Sequence, residues 1–155
     1  MPQFLSPHFT LDEMVFSQTA AREGIDNVPP PQVIENLRRL CAVLEQVRAT
    51  VGNLPVVVSS GYRSAALNKA VGGSATSAHM QGLAVDFTVP RFGSTLQVAQ
   101  AIALSGLEFD QLIHEYGRWV HLGLPPAGVR GRAQALSIFK ETGYLAGLHA
   151  RPVLA

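Results

Sequence analysis

Apolar residues recur at helical spacing over Val33, Leu37, Leu40, Cys41, Leu44, Val47 and Val51. This pattern predicts a long amphipathic helix from about Pro31 to Val51, entered through Pro29-Pro30-Pro31 and stopped by Gly52-Asn53. Upstream, Thr10 with Glu13 three residues later has the form of a capping box, predicting a helix that starts there and ends by Gly24. The β-branched run Val56-Val57-Val58 after a proline predicts a strand that delivers Ser59-Ser60-Gly61-Tyr62-Arg63-Ser64 at its carboxyl end. A brief helix over Ala65 to Ala70 should follow. The glycine- and hydroxyl-rich stretch from Val71 to Thr76 reads as a loop leading into His79, and Gly82 to Val89 as a second strand closed by Pro90. Leu96, Val98, Ala99, Ile102 and Ala103 mark a helix over Thr95 to Leu104. Gln111 to Glu115 and Trp119 to Gly123 then predict paired strands around Tyr116-Gly117-Arg118. Beyond Pro125, Ala135 to Lys140 is expected as another strand and the last few residues as a loose tail. The alternation of elements implies an α+β fold, a single domain over residues 1–155 with helices packed on a small, largely antiparallel sheet.

Composition narrows the partners. With 155 residues, 47% hydrophobic and 15% charged, the chain can bury one proper core. A formal charge of +1 and the lack of any basic run give no field to attract nucleic acid or an anionic membrane, and no apolar run is long enough to cross a bilayer. Cys41 is the only cysteine, so no intrachain disulfide forms, and its place in the long helix reads as a small buried apolar residue. The chain is expected to act as a monomer. Its start lacks the charged and apolar regions of a secretion signal, so it is expected to be made in the cytoplasm.

The chemistry concentrates in Ser77-x-His79-x-x-Gly82-x-Ala84-x-Asp86. Gly82 can bend the backbone before the apolar run Leu83-Ala84-Val85, which would bring the imidazole and the carboxylate to one point. Together with His121 they form a set that suits zinc, which takes imidazole nitrogen and carboxylate oxygen and, when catalytic, keeps three protein ligands and a water. Each residue also has a plainer reading: a hydrogen-bonded histidine in a turn, a turn-capping aspartate, a core histidine. Apolar flanks make an unpaired carboxylate at Asp86 costly, so a metal or hydrogen-bond partner is expected there. Strand alternation puts Glu115 and His114 on opposite faces, and the hairpin register decides which of them faces His121. His8 and His149 read as surface residues, and Trp119 as a core or cleft-wall aromatic.

Ser60-Gly61-Tyr62-Arg63-Ser64, the Ser77 to Asp86 motif, and Glu115 followed by Trp119-Val120-His121 together resemble the M15 peptidases, the zinc D-Ala-D-Ala carboxypeptidase and L,D-endopeptidase group that shares a fold with the hedgehog signalling domain. Phe9-Thr10-Leu11-Asp12-Glu13 and Asn68-x-x-Val71-Gly72-Gly73-Ser74 extend the resemblance, over roughly residues 8 to 123, to the small branch common in bacteriophages and prophages. The resemblance implies a hedgehog/DD-peptidase-like fold with Zn²⁺ in a cleft on the open sheet face. It implies His79, Asp86 and His121 as metal ligands, Glu115 as catalytic base, Arg63 as a catalytic and substrate-binding residue, and Ser77 as a second substrate hydrogen bond. The implied reaction is hydrolysis of a peptide bond in peptidoglycan stem peptides, next to a D-amino acid, after phage-type release or delivery to the wall. Zinc would bring its water toward a pKa of ~7, and a carboxylate beside that water can move its proton. One position departs from the wider group, which often carries a further histidine where this chain has Trp119. Two other readings remain open: a non-catalytic zinc-binding module of a phage particle that recognises peptidoglycan or a protein, and a dipeptidase that trims free D-Ala-D-Ala. Two histidines and an aspartate would also take cobalt or nickel.

Overall fold

The fold, taken from a computed structural model that describes residues 1–152, is mixed α and β. It opens with a small hairpin of β1 (Phe4–Ser6) and β2 (Phe9–Thr10), too short for its alternation to show in the sequence. Thr10 then caps α1 (Leu11–Val15): its hydroxyl accepts from the Glu13 N–H, and the Glu13 side chain accepts from the Thr10 N–H. The single helix expected here is in fact two. Phe16 turns extended, and the Ser17 hydroxyl takes the Ala20 N–H to start α2 (Gln18–Glu23), which ends on Gly24 at φ 67°. Asn27 holds the break in place, its amide donating to the Val15 and Tyr62 carbonyls while its oxygen accepts from the Ser64 N–H.

Helix α3 (Pro31–Thr50) carries the anticipated stripe, with Leu37, Leu40, Cys41, Leu44 and Val47 fully buried. Burial pushes the Cys41 thiol up to about 12, with the charges of Glu13 and Glu45 adding to it. After β3 (Val57–Ser60) come α4 (Ala65–Ala70), a 3₁₀ turn (Ala78–Gln81) and β4 (Ala84–Thr88). Then follow α5 (Thr95–Leu104), β5 (Gln111–Glu115), β6 (Trp119–Gly123), β7 (Gln134–Ile138) and a two-residue β8 (Leu145–Ala146). The sequence reading lacks β8 and the 3₁₀ turn.

The main sheet runs β3-β4-β6-β5-β7-β8, antiparallel throughout except for the parallel β5–β7 pair. Alternation sorts its side chains. Val85, Phe87, Leu112, Val120 and Leu122 join the core under α3 and α5, so Asp86, Glu115, Trp119 and His121 share the opposite face. His114 lies on the helix side, where Nε2 meets Thr95 Oγ1 at 2.8 Å and the ring packs edge-on to Phe139. The expected loose tail is tied down as far as residue 151, by the His149 N–H to Ser137 Oγ at 2.9 Å and by Arg151 to Glu141 at 2.6 Å. Its last three residues lie outside the described range. His8 and His149 are exposed, and among the described residues no helix is long and apolar enough to cross a membrane.

Candidate metal centre

The centre is assembled by one turn and two neighbouring strands. Ser77 accepts the His79 N–H and so caps the 3₁₀ turn, which ends on Gly82 at φ 70°. A side chain at Gly82 would be strained, and its Cβ would lie 2.9 Å from Val33 Cγ1. The tight exit drops the chain into β4 and points Asp86 back at His79, as one bend was expected to do. In the ladder Asp86 sits opposite His121 on β6 and opposite Ser60 on β3, where a bulge follows Val58.

His79 Nε2 lies 3.3 Å from Asp86 Oδ1, and His121 Nδ1 lies 2.9 Å from the same oxygen. The ligand atoms of the three residues all fall within 4.8 Å of one another, the one such group among the described residues. His79 Nδ1 is 2.7 Å from the Gly61 carbonyl oxygen, an atom that can only accept, so this nitrogen carries a proton and Nε2 is the one turned to the carboxylate. Nε2 and a carboxylate oxygen at that distance need a proton or a metal ion between them. At zinc ligand distances of about 2.0 Å, tetrahedral donors stand roughly 3.3 Å apart, which these atoms approach. The donor set therefore fits a divalent metal.

The electrostatics follow from burial. Burial by itself would raise the Asp86 pKa, but hydrogen bonds and charge from His121 and His79 outweigh it and hold the carboxyl well below the usual range. For His121, burial pulls down while the Asp86 hydrogen bond and the charges of Asp86 and Glu115 pull up, and the net is a raised pKa. Glu115 is raised, first by burial and then by the Asp86 charge. Its Oε1 stands 3.8 Å from His121 Nδ1, and its Oε2 accepts from the Trp119 indole N–H at 3.0 Å. The hairpin register thus chooses Glu115 over His114.

Arg63 enters the site on the stretch that follows β3. Its Nε reaches Ser60 Oγ at 3.3 Å, one terminal nitrogen donates to Asn68 Oδ1 at 3.2 Å, and the other lies 3.5 Å from Asp86 Oδ2. A guanidinium has five N–H donors, so some remain for a ligand. Arg63, Asp86 and Trp119 border a cleft of about 620 Å³ that is also lined by Val58, Ser59 and Ser60 and by Phe16 to Thr19. Ser77 is not among the residues that line it; its oxygen serves the turn.

Two supports escaped the sequence reading. Trp119 was expected as a wall, and it is one, but its N–H also fixes Glu115. Asn68 is buried and links Arg63 to the loop through the Ser74 carbonyl, and its place in the Asn68 to Ser74 motif is the signal that could have revealed it. With this geometry in view, comparison with known proteins gives two results. A family model described as Peptidase M15 matches residues 7–123. No curated protein matches the chain.

Proposed function

The chain belongs to the peptidase M15 family, and on that premise we propose that it is a zinc-dependent hydrolase of peptide bonds in bacterial peptidoglycan stem peptides. The observation that carries this reading is the meeting of four groups on one sheet face: three ligand atoms within 4.8 Å, and a Glu115 oxygen 3.8 Å from His121 Nδ1.

In this reading His79, Asp86 and His121 hold the zinc. The chemistry a bound zinc supplies is a water brought toward a pKa of ~7 and polarisation of the scissile carbonyl. Glu115 is the general base. Its free oxygen faces the metal site, so it can accept a proton from the attacking water and pass it to the departing amine. Trp119 keeps one carboxylate oxygen occupied and leaves the other for that transfer. Arg63, anchored by Ser60 and Asn68, holds Asp86 in place and offers its remaining donors to the substrate's carbonyl or carboxylate. Ser77 orients His79 and, through its free hydroxyl proton, can reach a bound peptide only if that peptide extends past the turn.

Mass analysis of fragments released from defined peptidoglycan tests both activity and bond. Release of fragments ending at a D-amino acid junction, abolished by a chelator and restored by zinc, is the expected result. Bound zinc with no released fragment would leave a binding module instead.

A further inference from the structure

Strand β3 is the outermost strand of the six-stranded sheet and is bonded to β4 alone. Among the described residues, no backbone hydrogen bond outside that ladder involves Val57 to Ser60. Immediately beyond, cover begins: the Tyr62 N–H donates to the Met14 carbonyl at 2.7 Å, and α1 presses so close that a Cβ at Gly61 would strike that oxygen. Of this open stretch, Val58 to Ser60 border the cleft, and it ends at Ser60, the ladder partner of Asp86.

An unpaired strand edge templates pairing with another chain, and proteins usually blunt it with charge, proline or a covering segment. Val57-Val58-Ser59-Ser60 has neither charge nor proline. The same cleft is lined by Phe16, 63% exposed at the break between α1 and α2 and outside the hydrophobic core. Four strand residues span about 13 Å, room for three or four residues of an extended peptide.

We propose that the substrate's backbone adds as an extended strand to the free edge of β3, in the cleft that Phe16 also lines, and so is led to the metal centre. This rests on the peptidase reading. Pairing through the main chain does not depend on large side chains, which suits a substrate built of small residues such as alanine. The Asn27 clamp has a purpose in this arrangement, since it fixes the Phe16 wall at a constant distance from the strand.

The test uses full-length, zinc-loaded Glu115→Gln and a synthetic stem pentapeptide ending in D-Ala-D-Ala, followed by backbone amide hydrogen exchange. Exchange over residues 57–60 should slow by about tenfold or more on peptide addition, the worth of one net hydrogen bond. Singly N-methylated peptides should lose binding at alternate residues, because a strand turns only every second N–H toward a given neighbour. Phe16→Ala should raise KM several-fold in the wild-type background and leave kcat unchanged. Saturating peptide without protection of β3, or uniform tolerance of N-methylation, overturns strand addition. So does protection that appears without peptide and grows with protein concentration, since a second copy would then cover the edge. Turnover by the wild type is scored separately: hydrolysis without β3 protection sinks only this inference, and protection without hydrolysis sinks only the peptidase reading.

Discussion

The Trp119 indole N–H donates to Glu115 Oε2 at 3.0 Å across the turn that joins β5 to β6, leaving Glu115 Oε1 on the side of His121. The two residues are directly paired in the ladder, so the register that brings Glu115 to the site also supplies its anchor. The indole N–H is a group that can only donate.

Trp119→Phe keeps an aromatic ring and removes the donor. A hydrogen bond to a charged acceptor is worth about 1.5–3 kcal/mol, so kcat should fall about 10- to 100-fold if that worth is expressed in the transition state. Zinc content, measured by elemental analysis, should not change. An unchanged kcat would mean that the carboxylate is held by something else.

Glu115→Gln should separate catalysis from stability. As general base the carboxylate contributes about 10²–10⁴ to rate, and turnover on cell walls should fall by that factor. Stability of the metal-free protein should move the other way. The folded pKa of Glu115 is raised by burial and by Asp86, so its charge opposes folding above that pKa, and the opposition vanishes below the unfolded value of about 4.3. The variant should melt above wild type at pH 7, and the gap should close toward pH 4. Equal melting at both pH values would remove the burial argument.

Gly73→Ala should disturb Arg63 without touching the cleft. A Cβ there would run into Asn68 Oδ1 and stand 2.9 Å from an Arg63 terminal nitrogen, where the contacts are between side chains that already bond each other. Overpacking of this kind costs about 1–3 kcal/mol, and the loosened guanidinium should show as a raised KM measured on a soluble stem peptide. Asn68→Ala should give the same direction of change in KM.

What could be read in the sequence was what depends on periodicity and local chemistry. The α3 stripe, the β5–β6 hairpin and the capping box at Thr10 each rest on residues near one another in the chain, and each stands where expected. The family motif carried His79, Asp86, His121 and Glu115, which the fold brings together on one face. Long-range polar contacts were not readable. Asn27 lies in a loop with no periodic pattern, yet its amide reaches residues 12 and 35 positions away. Ser17 splits the first helix because its hydroxyl captures an N–H, a choice between two short helices and one longer one that the capping residues alone leave balanced. Short pairings such as β1–β2 and β8 depend on neighbours for their hydrogen bonds and offer too few residues to show alternation.

Zinc binding should release protons, and the sign follows from the pair His121 and Asp86. In the metal-free protein His121 has a raised pKa, so its protonated form stabilises the fold below its unfolded value of about 6.5, and that contribution is lost as pH rises through the folded pKa. Asp86 has a lowered pKa, so its stabilisation is present above about 3.9 and lost only as pH falls through the folded value. Between these limits the site is held by a protonated imidazole against a carboxylate, at 2.9 Å. A metal needs that Nδ1 lone pair and must displace the proton. Calorimetric titration with zinc at pH 6, in buffers of different ionisation enthalpy, should therefore show proton release that declines toward zero as pH rises past the folded His121 pKa. Apparent affinity should climb over the same range, and the melting-temperature gain from zinc should be larger at pH 8 than at pH 6. Binding that is independent of pH across this window would show that His121 is not a ligand through Nδ1.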